Sequence, residues 1–288
     1  MIDSVISDPS EERAMAVKKS EMKYGVWLRN GLELSVKEVV AHAVAAEDAG
    51  WDGVFVSDSM GASEGYSDPW TALAAIAVKT ERVRIGTWIT PIPNKLPWRF
   101  AHITASLDQL SDGRLMLGVG LGVEEEYRQF GGSYDPKALG RRYDEALTVI
   151  TGLWTGEPFS FSGEFFTVNE GLLPVTPVQT PRIPILMAAW WPNKKPFRRA
   201  AKWDGIMPSW PAFYGISVGP QGEEPADSLK AGLRSLMTYY HGLTDDPGEI
   251  LLPDRPDAQY RALCRELGAT WLLNLDLDLA GIRQGPPE

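Results

Sequence analysis

Four short apolar runs begin near Tyr24, Val54, Val83 and Leu115, about thirty residues apart, with a helix-forming segment between each and the next. This rhythm constrains the fold more than any other feature of the chain. Strands that alternate with helices imply a parallel sheet with right-handed crossovers. Eight units of about thirty residues fill about 250 residues, the usual size of a (β/α)₈ barrel, and the chain has 288. Periodicity alone leaves an open doubly wound sheet as the alternative.

Local signals sharpen the pattern. The first strand reads Tyr24 to Leu28. Ser35 and Glu38 form a capping-box pair that opens a helix to Ala49, and Gly50 can close it. Asp68-Pro69 places a cap and a first-turn proline before a second helix to about Thr80. A third strand is expected over Val83 to Ile89, a third helix over Pro97 to Leu110, a fourth strand over Leu115 to Val119 and a fourth helix over Arg141 to Trp154. The rhythm then breaks. Phe159-Ser160-Phe161, Ser162-Gly163 and Phe165 to Val168 read as a hairpin, expected to cap the barrel mouth. Strands at Ile185, Ile206, Ile250 and Thr270, with helices at Pro196, Ala226 and Asp257, complete eight units. The expected architecture is an α/β (β/α)₈ TIM barrel with an inserted hairpin after the fourth helix. Residues 1–22 form an N-terminal extension and 23–288 the barrel domain.

Charge narrows the partners. A formal net charge of −10 disfavours nucleic acid and anionic membranes. No run approaches the roughly 18 apolar residues of a membrane span, and the first 23 residues show no secretory signal. The single cysteine, Cys264, can form no intrachain disulfide, which fits a reducing compartment; a cytoplasmic location is expected. His42, His102 and His241 are far apart, so no metal site is expected. The G-x-S-x-G elbow, the Walker loop and the G-x-G-x-x-G fingerprint are all absent.

In a (β/α)₈ barrel the loops after the strands build the active site. Those positions hold Ser57-Asp58-Ser59, Thr90-Pro91, Gly120-Leu121-Gly122, and Ala189-Trp190-Trp191-Pro192-Asn193-Lys194-Lys195. Asp58 reads either as a catalytic carboxylate or as a turn cap. The glycines read as a ligand approach or a tight loop. Asn193 and Lys194 read as a phosphate site at a helix start or a solvated basic turn. Trp27, Trp88, Trp190 and Trp191 could line a pocket for a flat ring or fill the core.

Further runs carry a family resemblance. Arg84-Ile85-Gly86-Thr87, Thr90-Pro91, Pro97-Trp98, Leu107-Asp108-Gln109-Leu110-Ser111-Asp112-Gly113-Arg114-Leu115 and Leu117 to Gly122 resemble the bacterial luciferase-like monooxygenases. So do Glu124-Glu125-Glu126-Tyr127, Arg141-Arg142-Tyr143-Asp144-Glu145, and Arg198-Arg199-Ala200-Ala201 with Asp204-Gly205. The resemblance implies a flavin-type oxidoreductase using FMN or the 5-deazaflavin coenzyme F-420 (F420). It implies a small organic substrate, NAD(P)H or a flavin reductase as electron partner, and a homodimer. It makes Asp58 the catalytic residue beside the ring. It places Trp27, Trp88 and Thr90 against the ring, and Gly120, Leu121 and Gly122 along the cofactor's ribityl and phosphate side. Ala189, Trp190, Asn193 and Lys194 fall on the phosphate-binding turn, with Arg141 or Arg142 as a phosphate-side arginine. A non-catalytic flavin-binding barrel is the reading from another class.

Overall fold

The computed structural model describes residues 21–28, 34–60, 67–210 and 226–287. Eight parallel strands close on themselves: β1 (Lys23–Leu28), β2 (Gly53–Val56), β3 (Arg84–Thr87), β5 (Leu115–Gly120), β8 (Ile185–Trp190), β9 (Gly205–Ser209), β10 (Glu249–Pro253) and β11 (Trp271–Asn274). β1 pairs with β2 and β11, and β3 pairs with β5 to shut the ring. The open-sheet alternative is thereby excluded. The helices are α1 (Val36–Asp48), α2 (Pro69–Ala77), α3 (Pro97–Leu110), α4 (Glu124–Gln129), α5 (Pro136–Leu153), α6 (Lys194–Ala200), α7 (Ala226–His241), α8 (Ala258–Glu266) and α9 (Leu279–Ile282).

Strand side chains alternate between the faces of a sheet, and here the two faces have different partners. Val54, Val56, Leu115 and Leu117 belong to the large cluster between the strands and the helices. Phe55, Met116, Leu186, Met207, Leu251, Trp271 and Leu273 form a second cluster inside the barrel. Their bulk needs small neighbours: a Cβ on Gly53 would stand 2.9 Å from the Trp271 ring, and one on Gly118 2.7 Å from the Met207 sulfur. Trp27, Trp88, Ile89 and Leu275 pack on this inner cluster and stay partly exposed, at or beyond the C-terminal ends of their strands.

The caps at Ser35 and Asp68 form as their sequence indicates: Ser35 accepts from the Glu38 amide and Asp68 from the Thr71 amide. Three features differ from expectation. The third strand ends at Thr87, and chain continuity passes through Trp88-Ile89 to a two-residue strand, β4 (Thr90–Pro91), which pairs with β5. The fourth barrel helix, α5, starts at Pro136 with Asp135 as its cap, so Arg141 and Arg142 lie in its second turn. The hairpin, β6 (Phe159–Ser162) and β7 (Thr167–Gly171), does not cap the mouth. It lies on the flank of α5, where Glu145 accepts from the amides of Glu164, Phe165 and Phe166 at 2.7, 2.9 and 3.2 Å. The Phe159 ring fills the space a Cβ on Gly152 would need. The carboxylate and the glycine, both on α5, fix the hairpin to the outside wall. The short helices α4 and α9 escape the sequence reading because each is under two turns and lacks an apolar period.

Candidate active site

The C-terminal ends of the strands gather most of the residues singled out above. At the end of β2 the backbone delivers Ser57 inward and Asp58 beside it, 5% and 6% exposed. Ser57 Oγ accepts from the Trp27 indole at 2.9 Å, so the tryptophan ring is fixed to the neighbouring strand rather than left to rotate. Asp58 meets Lys95, in the loop after β4. Lys95 Nζ donates to Oδ1 at 3.0 Å and lies 2.8 Å from Oδ2. The second contact is an ion pair outside hydrogen-bond geometry, so Oδ2 is a buried carboxylate oxygen that accepts no hydrogen bond among the described residues. The Lys95 ammonium thus compensates the charge of this buried carboxylate across both oxygens.

The neighbouring serine makes a second carboxylate contact. Ser59 Oγ donates to Glu126 Oε1 of α4, and Glu126 is 4% exposed. Tyr127 follows it and donates to the Leu121 carbonyl at 2.7 Å. Burial pushes the Tyr127 phenol up to about 12, so it stays a neutral donor at physiological pH and holds the loop after β5. In that loop Gly122 has φ of +84° and a Cβ there would stand 2.9 Å from Pro91; both facts require glycine. A Cβ on Gly120 would stand 2.4 Å from Ile89 Cδ1. The glycines therefore let this loop close on the Trp88–Pro91 segment. Thr90 is turned into the wall, with its hydroxyl on Thr87, whose own hydroxyl donates to the Gly118 carbonyl.

The other side of the mouth is β8. Ala188 faces Gly120 across the barrel wall, so by alternation Trp190 also faces in, and it is 42% exposed. Ala189 is buried on the outer side. Asn193 caps α6 without a side-chain hydrogen bond to it, and Lys194 Nζ lies 5.2 Å from the Tyr239 ring centroid. The two arginines are both engaged from α5. Arg141 is paired with Glu164 at 2.8 Å. Arg142 donates to the Pro93 carbonyl and lies over the Phe166 ring. Sequence reading missed Lys95 and Glu126. Lys95 was visible only as the lone cation of a proline-punctuated loop, and Glu126 only as one of three consecutive glutamates.

The arrangement offers a floor of Trp27 and Trp88 over an apolar barrel core, flanked by small residues at Ser57, Gly120 and Ala188. One carboxylate paired with one ammonium stands at its edge. A flat heteroaromatic ring fits such a floor, and a carboxylate held as an ion pair can accept a proton. Among the described residues no three His, Cys, Asp or Glu side chains are placed to hold a metal, and no helix is long and apolar enough to cross a membrane. The groove of about 320 Å³ lined by Trp70, His102, Ile103 and Leu110 lies between α2 and α3, outside the barrel, and contains none of the site residues.

Residues 13–210 match the family model described as luciferase-like monooxygenase. The chain is 38% identical over 163 residues to an F420-dependent hydroxymycolic acid dehydrogenase of Mycobacterium tuberculosis, covering 54% of this chain and 44% of that protein. It is 34% identical over 182 residues to an F420-dependent glucose-6-phosphate dehydrogenase of Gordonia bronchialis, covering 60% and 52%. The matches thus span about half the length of these curated relatives. In three dimensions the chain resembles an F420-dependent secondary alcohol dehydrogenase solved with an F420-acetone adduct. The TM-score is 0.70 at 18% identity, over 92% of this chain and 97% of the other. A monooxygenase from Streptomyces bottropensis gives a TM-score of 0.69 at 20% identity, over 91% and 96%. At such identities these two likenesses speak for the fold.

Proposed function

Because the chain belongs to the luciferase-like monooxygenase family, we propose that it is an oxidoreductase that binds F420 at the C-terminal mouth of the barrel and oxidises a small alcohol, or reduces the matching carbonyl compound. The observation that carries this reading is the Asp58–Lys95 pair beside the Trp27–Trp88 floor. The names of the relatives, F420-dependent dehydrogenases, support the deazaflavin over FMN. When bound, the deazaflavin supplies a two-electron acceptor or donor for hydride.

The chain's residues have separate tasks. Trp27, held by Ser57, and Trp88 orient the ring and exclude water from one face. Asp58, paired with Lys95, accepts the substrate hydroxyl proton as the carbonyl forms and returns it in the reverse direction. Gly120, Leu121 and Gly122 border the tail of the cofactor, and Asn193 and Lys194 are the donors nearest to hand for its phosphate. Arg141 and Arg142, engaged by Glu164 and Pro93, shape the wall behind that tail. FMN is the second reading, favoured by the family's description as monooxygenase. Equilibrium dialysis of the full chain against F420 and against FMN tests the choice. Retention of F420 at micromolar concentration with weak retention of FMN is expected; the reverse order would establish the FMN reading.

A further inference from the structure

On that oxidoreductase reading, we infer that Arg142 is a positioning residue: from α5, through the Pro93 carbonyl, it sets the place of Lys95 against the proton-accepting Asp58. The observations concern residues 92–98, which carry Lys95 from the end of β4 to the start of α3. Lys95 itself belongs to no helix or strand. A long side chain on a short connection stays on one buried carboxylate only if the connection is itself held, because ordering it costs conformational entropy.

The connection is held on both sides of Lys95. Before it, Ile92 is fully buried, and its carbonyl accepts from the Lys95 amide at 2.9 Å, closing a 3₁₀ turn over Ile92–Asn94. Within that turn the Pro93 carbonyl accepts from Arg142 Nε at 2.9 Å. After it, the Trp98 ring meets the Phe166 ring edge-on, with centroids 6.2 Å apart. Phe166 serves both anchors: Arg142 Cζ lies 4.5 Å from its centroid, and the ring is 5% exposed. A guanidinium lying over a buried ring has a restricted plane, so the direction of its Nε–H is fixed. Phe166 stands in the hairpin between β6 and β7, where Glu145 accepts from its amide. The hairpin on the outer wall is thereby linked to the ion pair at the mouth, through Phe166, Arg142, Pro93, Lys95 and Asp58 in that order.

The adjacent arginine is the contrast. Arg141 pairs with Glu164, and both side chains of that pair are more than half exposed. Such a pair contributes little to stability. Arg142 is committed instead to a backbone acceptor two residues from Lys95.

The test reads Lys95 directly. The full chain is trace-labelled with acetic anhydride, and acetylation of Lys95 is followed by mass spectrometry against Lys79, exposed beyond the end of α2. F420 binding is measured on the same samples by equilibrium dialysis. Lys95, held by Asp58 and 23% exposed, should label slowly in the wild type. Arg142→Met keeps an aliphatic stem over Phe166 and removes the donor. Lys95 should then label about fivefold faster, the effect of one lost hydrogen bond, with Lys79 unchanged. Arg142→Lys restores a donor and should recover part of the protection, whereas Arg141→Met should label as the wild type does. Phe166→Leu removes the ring and keeps the donor; it should release Lys95 to a smaller extent, and it supplies the test if Arg142→Met is insoluble. Because Arg142 acts through the ion pair, Asp58→Asn should by itself speed the labelling of Lys95, and adding Arg142→Met should then have little further effect. Unchanged labelling of Lys95 in Arg142→Met would overturn the inference, as would equal acceleration of Lys79, the mark of general loosening. F420 affinity lowered about tenfold or more with Lys95 still protected would make Arg142 a cofactor ligand instead. Failure of the wild type to bind F420, with Lys95 released as expected in the variants, would overturn the cofactor reading alone and leave the positioning role standing.

Discussion

Asp58 and Lys95 are held together at a place where each changes what the other can do. Asp58→Asn keeps the side-chain shape and removes the charge. Turnover should fall by about 10²–10⁴-fold, with F420 affinity and melting temperature little altered. A variant that melts much earlier yet turns over normally would make Asp58 a structural residue. Lys95→Met leaves a carboxylate that is 6% exposed without its ion-pair partner. Breaking a buried pair is strongly destabilising, and the partial exposure of Lys95 reduces the cost to about 1–3 kcal/mol. Adding Asp58→Asn to that variant should recover most of the lost stability and none of the turnover, as read by thermal denaturation and steady-state rates. Additive losses would show that the two do not interact. At this scale the sequence revealed half of the pair. Asp58 stands at a strand end, where position alone makes it a candidate. Lys95 lies 37 residues further on, and only the barrel's closure brings it back to Asp58.

Elements were legible wherever a period or a cap marked them. The Ser35–Glu38 box, the Asp68-Pro69 start and the Pro97 start each have a local physical cause, and each helix begins within a residue of its signal. The hairpin's existence was equally plain, but its place was not. Docking depends on Glu145 and Gly152, which belong to α5 and carry no signal of their own. This assignment can be tested. Glu145→Ala removes the acceptor for three amides, so hydrogen exchange over residues 164–166 should quicken markedly while F420 affinity stays within about twofold, since the hairpin lies off the mouth. A large loss of affinity would return the hairpin to the mouth. The loop after β5 gives the opposite case. Gly122→Ala forces a Cβ into positive φ against Pro91 and should cost about 1–2 kcal/mol, with weakened F420 binding because the loop borders the site.

As a whole molecule the chain is a closed barrel whose mouth combines an aromatic floor with the Asp58–Lys95 pair. Its closure was foreshadowed by the thirty-residue rhythm, but rhythm alone could not choose between a ring and an open sheet. The choice rests on the pairing of β3 with β5 and of β1 with β11, a long-range property. Closure begins at β1, with Met22 already buried before it, so a chain begun at Met22 should fold and bind cofactor as the full chain does; insoluble protein on that truncation would show that residues 1–21 are needed. The central claim is the position of the ring, and a crystal structure of the full chain with F420 tests it most directly. The ring face is expected within about 4 Å of Trp27 or Trp88, and an Asp58 carboxylate oxygen within about 3.2 Å of the reacting substrate hydroxyl or the ring edge. A ring bound in the outer groove between α2 and α3, or anywhere outside the barrel mouth, would contradict it.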